Sequence, residues 1–256
     1  MAFTNGMQEN PADRGHLMAS ACCKHFAANS MEGTTQHGVT WTRHNFSADV
    51  PAQDLADSYL PPFQVCVEKG RVSGLMCSYN SINNVPSCAN SWLMKTLARD
   101  EWSFDGYITS DCGASNDVFF EHNFTKTPEE SVAALLKAGQ DVDCSGFTTE
   151  YAGKALAQNL ITQEDIDSRI RNLFRVRFRL GHFDPPGPLH ALGAGDICSE
   201  YAVELARDGA TQGAVLIKNA ASRLPLSAAR AGKVAIIGPV SADAFSLLRL
   251  PAIDVS

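Results

Sequence analysis

The sequence predicts an α/β protein built on a parallel β-sheet. Short apolar runs alternate with longer amphipathic segments at a pitch of about 30 residues, which is the pattern of repeated strand–helix units. Residues 181–195 hold three prolines and four glycines, and this stretch predicts a linker or a long loop. The composition agrees with a folded chain, because 45% of the 256 residues are hydrophobic and 19% are charged.

Four apolar runs before residue 181 are the predicted strands of this sheet. They are Met18–Cys23, Ser73–Tyr79, Gly106–Ser110 and Ala138–Val142. Polar side chains stand at or just after the end of each run, in the order Lys24 and His25, Tyr79, Asp111 and Asp143. Because parallel strands end at one edge of a sheet, these side chains predict a polar pocket at that edge.

Helix-start signals predict where the helices between the strands begin. Thr127 suits an N-cap and Glu130 can close a capping box, so a helix is expected from there to Gly139. The other helices predicted in this region are Pro51–Lys69, which Pro61 and Pro62 can interrupt, Ser91–Glu101, and Gln163–Leu180, which Thr162 and Asp165 open.

A second α/β unit is predicted after the proline-rich stretch. Its elements are a helix, Glu200–Gln212, and two strands, Ala214–Ile217 and Lys233–Ile237. The predicted division is a first domain at 1–180, a linker at 181–199 and the beginning of a further domain at 200–256. The last strand is not followed by G-x-G-x-x-G, which argues against a Rossmann-type nucleotide site.

Asp111 is the strongest candidate for a reactive group. A carboxylate held at a strand end between small residues can attack the anomeric carbon of a sugar, although the same residue could instead cap the next helix. Lys24 and His25 can hydrogen-bond sugar hydroxyls, but a lysine reaching solvent and a lone buried histidine are ordinary features too. His44 and His122 are expected to be loop or surface residues, and His122 lies near enough to Asp111 in sequence to approach the pocket.

A series of longer motifs runs along the chain. They are CKHF at Cys23–Phe26, DLADSYLPPF at Asp54–Phe63, MCSYNSINNVPSCAN at Met76–Asn90, WSFDGYITSDCGA at Trp102–Ala114, TPEESVAALLKAGQDVDC at Thr127–Cys144, RLGHFD at Arg179–Asp184, VLIKN at Val215–Asn219, LPLS at Leu224–Ser227 and VAIIGP at Val234–Pro239. In this order they resemble glycoside hydrolase family 3, and most of all its β-xylosidase branch. The resemblance extends from Cys22 to Pro239.

The resemblance implies the C-terminal half of a (β/α)8 TIM-type barrel, followed by the start of a second α/β sandwich domain. In the family, earlier barrel strands supply an Asp and an Arg that bind the sugar, and the acid/base glutamate lies further along the second domain. No match to these residues is found in this sequence. The resemblance therefore implies a fragment of a longer parent chain, and weak or absent catalysis by the fragment alone.

The same resemblance implies a role for each residue of the pocket. Asp111 matches the nucleophile, Lys24 and His25 match the pair that holds hydroxyls in the −1 subsite, and Tyr79 matches a tyrosine of that subsite. Cys112 stands where many β-glucosidases of the family carry tryptophan, which favours xylose. The implied reaction is retaining release of β-D-xylose from xylo-oligosaccharides, without a metal or other cofactor. An α-L-arabinofuranoside or β-glucoside specificity stays open, as does an inactive, sugar-binding or vestigial relative.

The eight cysteines contain two candidate disulfide pairs. Cys77 and Cys88 flank a short loop, and Cys112 and Cys144 stand at equivalent ends of neighbouring predicted strands, within disulfide reach. The remaining cysteines are expected to be free or buried, without the spacing of a zinc site, and are Cys22, Cys23, Cys66 and Cys198.

Several features bear on location and partners. Glycosylation sequons at Asn45 and Asn123, together with the cysteines, favour a secreted, extracellular parent protein. The first residues hold no apolar signal-peptide core, as expected if the N-terminus is truncated. A formal net charge of −7 argues against nucleic acid. No run of about 18 apolar residues is present, so no membrane span is predicted.

Overall fold

The computed structural model describes residues 1–227, 235 and 237. The chain divides between Asp184 and Pro185 into two compact units. The predicted strand Lys233–Ile237 lies outside the described residues, apart from the isolated positions 235 and 237.

The first unit is built on a parallel sheet, as the sequence predicts. Strands β1, β5 and β8 pair side by side in that order, and every pairing is parallel. The fourth predicted strand contributes only a single parallel bridge, between Thr109 and Val142. The strands are β1 (Cys22–Phe26), β2 (Gly33–Gln36), β3 (Val39–Thr42), β4 (Ser47–Ala48), β5 (Gly74–Cys77), β6 (Ser81–Ile82), β7 (Val85–Pro86) and β8 (Tyr107–Ser110).

Helices cover the sheet and lead from one strand to the next. The α-helices are α1 (Ala2–Gln8), α2 (Ala52–Asp54), α3 (Pro61–Glu68), α4 (Ala114–Phe120), α5 (Pro128–Ala138), α6 (Phe147–Ala157), α7 (Gln163–Arg179) and, in the second unit, α8 (Glu200–Gly213). Two further segments, Leu55–Tyr59 and Trp92–Glu101, are π-helical. Within the described ranges, no helix is long and apolar enough to cross a membrane.

The core lies between the sheet and these helices. Phe26 from β1, Leu75 from β5 and Ile108 from β8 are completely shielded from solvent. The sheet also needs a close approach at Gly106, where a Cβ atom would collide with the carbonyl group of Ser73. Only glycine fits there, because the backbone hydrogen bond from Tyr107 N to Ser73 O (3.1 Å) draws the two chains together.

Strand β1 begins at Cys22 rather than at Met18, so the prediction for its position was wrong. Lys24 and His25 consequently lie inside the strand and not beyond its end. Pairing with β5 decides the position, since Cys22 aligns with Gly74 and Phe26 with Cys77, with an irregularity in register between Cys23 and Phe26. Small apolar residues such as those before Cys22 can equally form a loop, so hydrophobicity alone misplaces the strand.

The predicted helix Pro51–Lys69 is interrupted. It is divided into α2, the π-helical turn Leu55–Tyr59 and α3. Pro61 and Pro62 have no N–H to donate, so they fit only in the first turn of a new helix. The apolar stripe still points inward, because Leu55 and Val67 are buried.

The predicted helix caps are present. The Thr127 hydroxyl accepts a hydrogen bond from Glu130 N (3.2 Å), and α5 ends at Gly139 with a left-handed φ of 119°. The Glu130 carboxylate accepts from Lys126 N (2.9 Å), one residue before the N-cap, so this capping box is not closed in the expected way. At α7 the reciprocal bonds between Thr162 and Asp165 form a complete capping box.

In the second unit, α8 forms where a helix was predicted, and the Ser199 hydroxyl accepts from Ala202 N (3.3 Å) at its start. The segment predicted as a strand, Ala214–Ile217, pairs with no other strand among the described residues, and the second strand predicted for this unit, Lys233–Ile237, lies largely outside them. A strand forms only where a neighbour satisfies its backbone groups. Val215 and Ile217 are accordingly 82% and 93% exposed.

Candidate active site

The predicted pocket residues meet at the C-terminal edge of the sheet. Asp111 directly follows β8, His25 lies in β1 and Tyr79 follows β5. His25 Nε2 lies 3.1 Å from Asp111 Oδ2, and the Tyr79 hydroxyl donates to the carbonyl oxygen of Cys112 at 2.9 Å. Side chains from all three paired strands therefore converge on one carboxylate.

Asp111 is held in place but remains accessible. Its side chain is 14% exposed, and Cys112 N donates to Oδ1 at 2.8 Å while His25 approaches Oδ2. Burial acts to raise the pKa of Asp111, but the hydrogen bonds from His25 and Cys112 N, with the charges of His25 and Lys24, lower it below its ordinary value. The carboxylate is therefore ionised at neutral pH, with lone pairs left over on both oxygens.

Lys24 lies beside this carboxylate without touching it. Its side chain is exposed and makes no hydrogen bond or ion pair within the described part of the chain. Its positive charge nevertheless favours the ionised form of Asp111. An exposed ammonium group with three donors, close to this carboxylate, can donate to hydroxyl groups of a bound molecule.

Tyr79 is a neutral hydrogen-bonding group in this arrangement. Burial, followed by the negative charge of Asp111, raises the pKa of Tyr79 to about 12. The side chain is 5% exposed, and its hydroxyl is already engaged by the backbone next to Asp111. It therefore stays protonated at any physiological pH.

Sequence reasoning missed a group of side chains around Tyr79. The His44 ring lies 4.3 Å from the Tyr79 ring, and the Arg43 guanidinium lies 5.0 Å from it. His44 Nδ1 lies 2.8 Å from Asp117 Oδ2, and burial is the main cause that raises the pKa of Asp117 to about 6. His44 and Asp117 are 73 residues apart, so no local pattern could reveal the pair.

His122 is half-buried and lies near the pocket, which is the second of the two placements that the sequence allowed for it. Its Nε2 lies 2.7 Å from the carbonyl oxygen of Tyr79. Asp143, the fourth residue of the predicted pocket, is bonded to its own local backbone instead of to Asp111. It accepts from Ser145 N (2.9 Å) and Thr148 N (2.7 Å) at the start of α6.

Three disulfides lie in the first unit. Two are the pairs named from the sequence, Cys77–Cys88 with Cα atoms 5.1 Å apart and Cys112–Cys144 with Cα atoms 4.5 Å apart. The third joins Cys23 to Cys66, a pair that the sequence did not indicate; Cys66 is buried, as one of the two expected states, but neither cysteine is free. Packing of α3 against β1 brings their Cα atoms within 6.8 Å, a contact between residues 43 apart in sequence. Cys22 and Cys198 are free.

The two sequons differ in accessibility. Asn123 is exposed, whereas Asn45 is half-buried and its side-chain oxygen accepts from Thr42 N at 2.8 Å. The geometry therefore favours Asn123 as the acceptor of a glycan.

A cavity of about 670 Å³ lies away from these residues, beside the N-terminal ends of β1 and β5, and is lined by Gln8, Arg14 and Arg179 among others. The Gln8 side-chain oxygen there accepts from Ser73 N (2.8 Å) and Ala21 N (3.2 Å). Asp111 lies at the opposite edge of the sheet from this cavity and does not line it. No cluster of three or more His, Cys, Asp or Glu side chains is arranged to hold a metal ion in the described residues.

The C-terminal ends of parallel strands, where Asp111, His25 and Tyr79 meet, are the place at which β/α barrel enzymes carry their active sites. Residues 1–176 match the model of the glycosyl hydrolase family 3 N-terminal domain. The chain belongs to this family.

Relatives and solved structures agree with that membership. The chain is 42% identical over 247 residues to "Probable beta-D-xylosidase 7" of Arabidopsis thaliana, covering 93% of this chain and 32% of that protein. It is 41% identical over 241 residues to "Beta-xylosidase/alpha-L-arabinofuranosidase 2" of Medicago sativa subsp. varia, covering 93% and 31%. A GH3 exo-beta-xylosidase in complex with a xylobiose aziridine activity-based probe matches with a TM-score of 0.77 at 31% identity, over 88% of this chain and 29% of that one. The chain thus spans about a third of the length of these relatives.

Proposed function

We propose that this chain is the nucleophile-bearing part of an exo-acting β-xylosidase, and that Asp111 is the nucleophile. The geometry around Asp111 carries the proposal. His25 and Cys112 N fix the two carboxylate oxygens, the pKa of Asp111 is lowered, and the side chain stays 14% exposed. A carboxylate that is both ionised and accessible can form a covalent bond to a sugar carbon.

The proposed reaction proceeds by double displacement. An Asp111 oxygen attacks C1 of the xyloside, the bond from C1 to the leaving oxygen breaks, and a carboxylic acid gives its proton to that oxygen. The same group then takes a proton from water, which attacks C1 and frees Asp111 with net retention. This second carboxyl, at about 5 Å, belongs to the part of the parent protein that this chain does not include. Lys24, His25 and Tyr79 would hold sugar hydroxyls in the meantime.

Two observations support xylose as the sugar. Two Arabidopsis thaliana relatives, "Probable beta-D-xylosidase 7" and "Probable beta-D-xylosidase 6", are 42% and 44% identical to this chain. Cys112, tied to Cys144, stands beside Asp111, where a bulkier tryptophan is common in β-glucosidases of the family. The Medicago relative favours α-L-arabinofuranosides as a second substrate class. Three disulfides and the exposed sequon at Asn123 support an extracellular parent protein.

A slow-reacting substrate can test whether Asp111 is the nucleophile in the absence of the acid/base carboxyl. 2,4-Dinitrophenyl 2-deoxy-2-fluoro-β-D-xyloside has a leaving group that needs no protonation, and its fluorine slows release of the sugar. We expect one covalent adduct on Asp111, located by peptide mass mapping. Asp111→Asn should give no adduct, whereas Asp143→Asn, the matched change at the neighbouring strand end, should still be labelled.

The same assay separates the alternatives. Labelling by the fluoroxyloside in preference to the matching fluoroglucoside supports the xylosidase, and preference for a fluoroarabinofuranoside supports the second substrate class. An unlabelled wild-type chain would favour an inactive, sugar-binding relative. We also expect no robust turnover of p-nitrophenyl-β-xyloside by this chain, and normal glycosidase rates that disappear in Asp111→Asn would contradict that expectation.

A further inference from the structure

Both ring nitrogens of His122 have partners. Nε2 lies 2.7 Å from the carbonyl oxygen of Tyr79, and Nδ1 lies 3.0 Å from the hydroxyl oxygen of Ser81. A carbonyl oxygen can only accept, so Nε2 carries the proton and Nδ1 accepts from the Ser81 hydroxyl. The ring therefore has one defined tautomer and one defined orientation.

This ring is neutral as well as fixed. Burial lowers the pKa of His122, against the opposing effects of the Tyr79 carbonyl and the Glu121 carboxylate. The positive charge that His44 can carry acts in the same direction as burial. A neutral, oriented imidazole that contacts no reacting atom is suited to holding its neighbours in place.

What His122 holds is the backbone of Tyr79. The hydroxyl of this tyrosine donates to Cys112 O, and its ring faces His44, which is tied to Asp117. Cys112, Asp117 and His122 all belong to the short segment 112–122 that follows Asp111. This segment, which we call the clamp, thus contacts Tyr79 at the hydroxyl and the backbone directly, and at the ring through His44.

We propose that His122 is a positioning residue that fixes Tyr79 beside Asp111. Within the proposed function, on which this inference rests, the clamp couples the placement of Tyr79 to the segment that directly follows the nucleophile. An ordinary buried histidine would contribute stability to the whole unit, without a selective effect on Tyr79. The two possibilities therefore differ in an observable way.

Tyrosine nitration by tetranitromethane, followed by peptide mapping, measures the placement of Tyr79 without any need for catalysis. Buried and protonated, Tyr79 should be protected in the wild-type chain, while Tyr201, which is 75% exposed, should react. His122→Phe should raise the nitration rate of Tyr79 by about tenfold, the size expected from one lost hydrogen bond. His122→Gln can still donate to Tyr79 O and should restore protection. Tyr107 and Tyr151 serve as controls and should not change.

Two results would overturn the inference. Tyr79 could stay protected in His122→Phe, or all tyrosines could become reactive together, which is the behaviour of a purely structural residue. If the phenylalanine variant fails to fold, Ser81→Ala replaces it, because it removes only the partner of Nδ1. A selective rise at Tyr79 by a few fold supports the inference, and unchanged protection refutes it.

A double-mutant cycle on the labelling rate of Asp111 tests whether the placement of Tyr79 affects the reactivity of Asp111. If His122 acts through the Tyr79 hydroxyl, Tyr79→Phe and His122→Phe should each slow labelling by about tenfold, and the double variant should be no slower than either. Additive losses, or no loss in Tyr79→Phe, would contradict the inference. A wild-type chain that is never labelled would contradict the proposed function instead, and the nitration result would still decide the role of His122.

Discussion

Two carboxylates at opposite ends of β8 have opposite environments. Asp141, at the N-terminal end, is fully buried and accepts from Ile108 N (2.7 Å) and Asn172 Nδ2 (2.9 Å), with Arg99 and Arg169 also paired to it. Asp111, at the C-terminal end, has two donors and remains 14% exposed. Asp141 is surrounded by hydrogen-bond and ion-pair partners from the protein, whereas Asp111 can still contact another molecule.

The pKa values of Asp141 and Asp111 are shifted in opposite directions, although burial acts to raise both. Burial raises the pKa of Asp141, and the arginines and hydrogen bonds that oppose it do not cancel the effect. At Asp111 burial acts in the same way but is outweighed by His25 and Cys112 N, so the pKa is lowered. The comparison teaches that burial alone does not mark a reactive carboxylate in this fold. The feature that distinguishes Asp111, the proposed nucleophile, is that it is ionised and not fully hydrogen-bonded within the protein.

Removing Asp141 should have the largest effect on stability. Asp141→Ala leaves Arg99 and Arg169 buried without their partner, so we expect the free energy of unfolding to fall by about 3–5 kcal/mol. Urea denaturation followed by circular dichroism measures this change. Glu164→Gln, which removes an exposed partner of Arg171, is the matched control and should leave the midpoint unchanged. Equal, small effects of both variants would remove the contrast between the two ends of the sheet.

Asp117, which lies on the same side of the sheet as Asp111, makes a testable contribution to the pH dependence of the free energy of unfolding. Its pKa is raised by burial to about 6, against about 4 in the unfolded chain. Between these values only the folded state holds the proton, so this group makes the free energy of unfolding decrease as pH rises. Asp117→Asn should remove a decrease of about 2 kcal/mol between pH 4 and pH 6. Denaturation series at several pH values check this, and an unchanged profile would show that Asp117 is not the responsible group.

Asp111→Asn should have the smallest effect on stability, at most about 1 kcal/mol, because its partners remain in contact with solvent or backbone. The sign of its pH dependence is opposite to that of Asp117. A lowered pKa stabilises the fold above the ordinary carboxyl pKa, and this contribution is lost as pH falls through about 4 and below. The variant should therefore flatten only the acidic end of the stability profile. A loss as large as that of Asp141→Ala would mean that Asp111 is structural.

Local signals in the sequence predicted local structure well. The caps at Thr127 and Thr162 depend on residues within one turn, and the glycine at 139 ends α5 through its own backbone conformation. The polar residues that follow parallel strands were also predicted to converge, because that follows from sheet geometry. The exact position of each strand and its register with its neighbour were less predictable. Placement of Lys24 and His25 inside β1 depends on pairing with β5, which no single segment encodes.

Contacts between distant residues account for the rest. The disulfide Cys23–Cys66 joins residues 43 apart, and His122 meets Ser81 across 41 residues. The hairpin of β2 and β3, which the sequence did not indicate, precedes the loop in which Arg43 and His44 approach Tyr79. Such contacts arise only in the folded chain, as where α3 packs against β1, and the residues next to a histidine in the sequence do not reveal them.

The three disulfides close separate, consecutive loops along the chain: 23–66, 77–88 and 112–144. Each loop holds part of the candidate site, with His25 and His44 in the first, Tyr79 in the second and His122 in the third. A single proteolytic cut within any of them leaves both halves covalently joined, so the site residues stay together until a reductant is added. A cut between the loops, for example at 89–111, leaves the two pieces joined only by non-covalent contacts such as the pairing of β5 with β8. The chain directly after Asp111 is thus covalently protected against a cut, whereas the stretch directly before it is not.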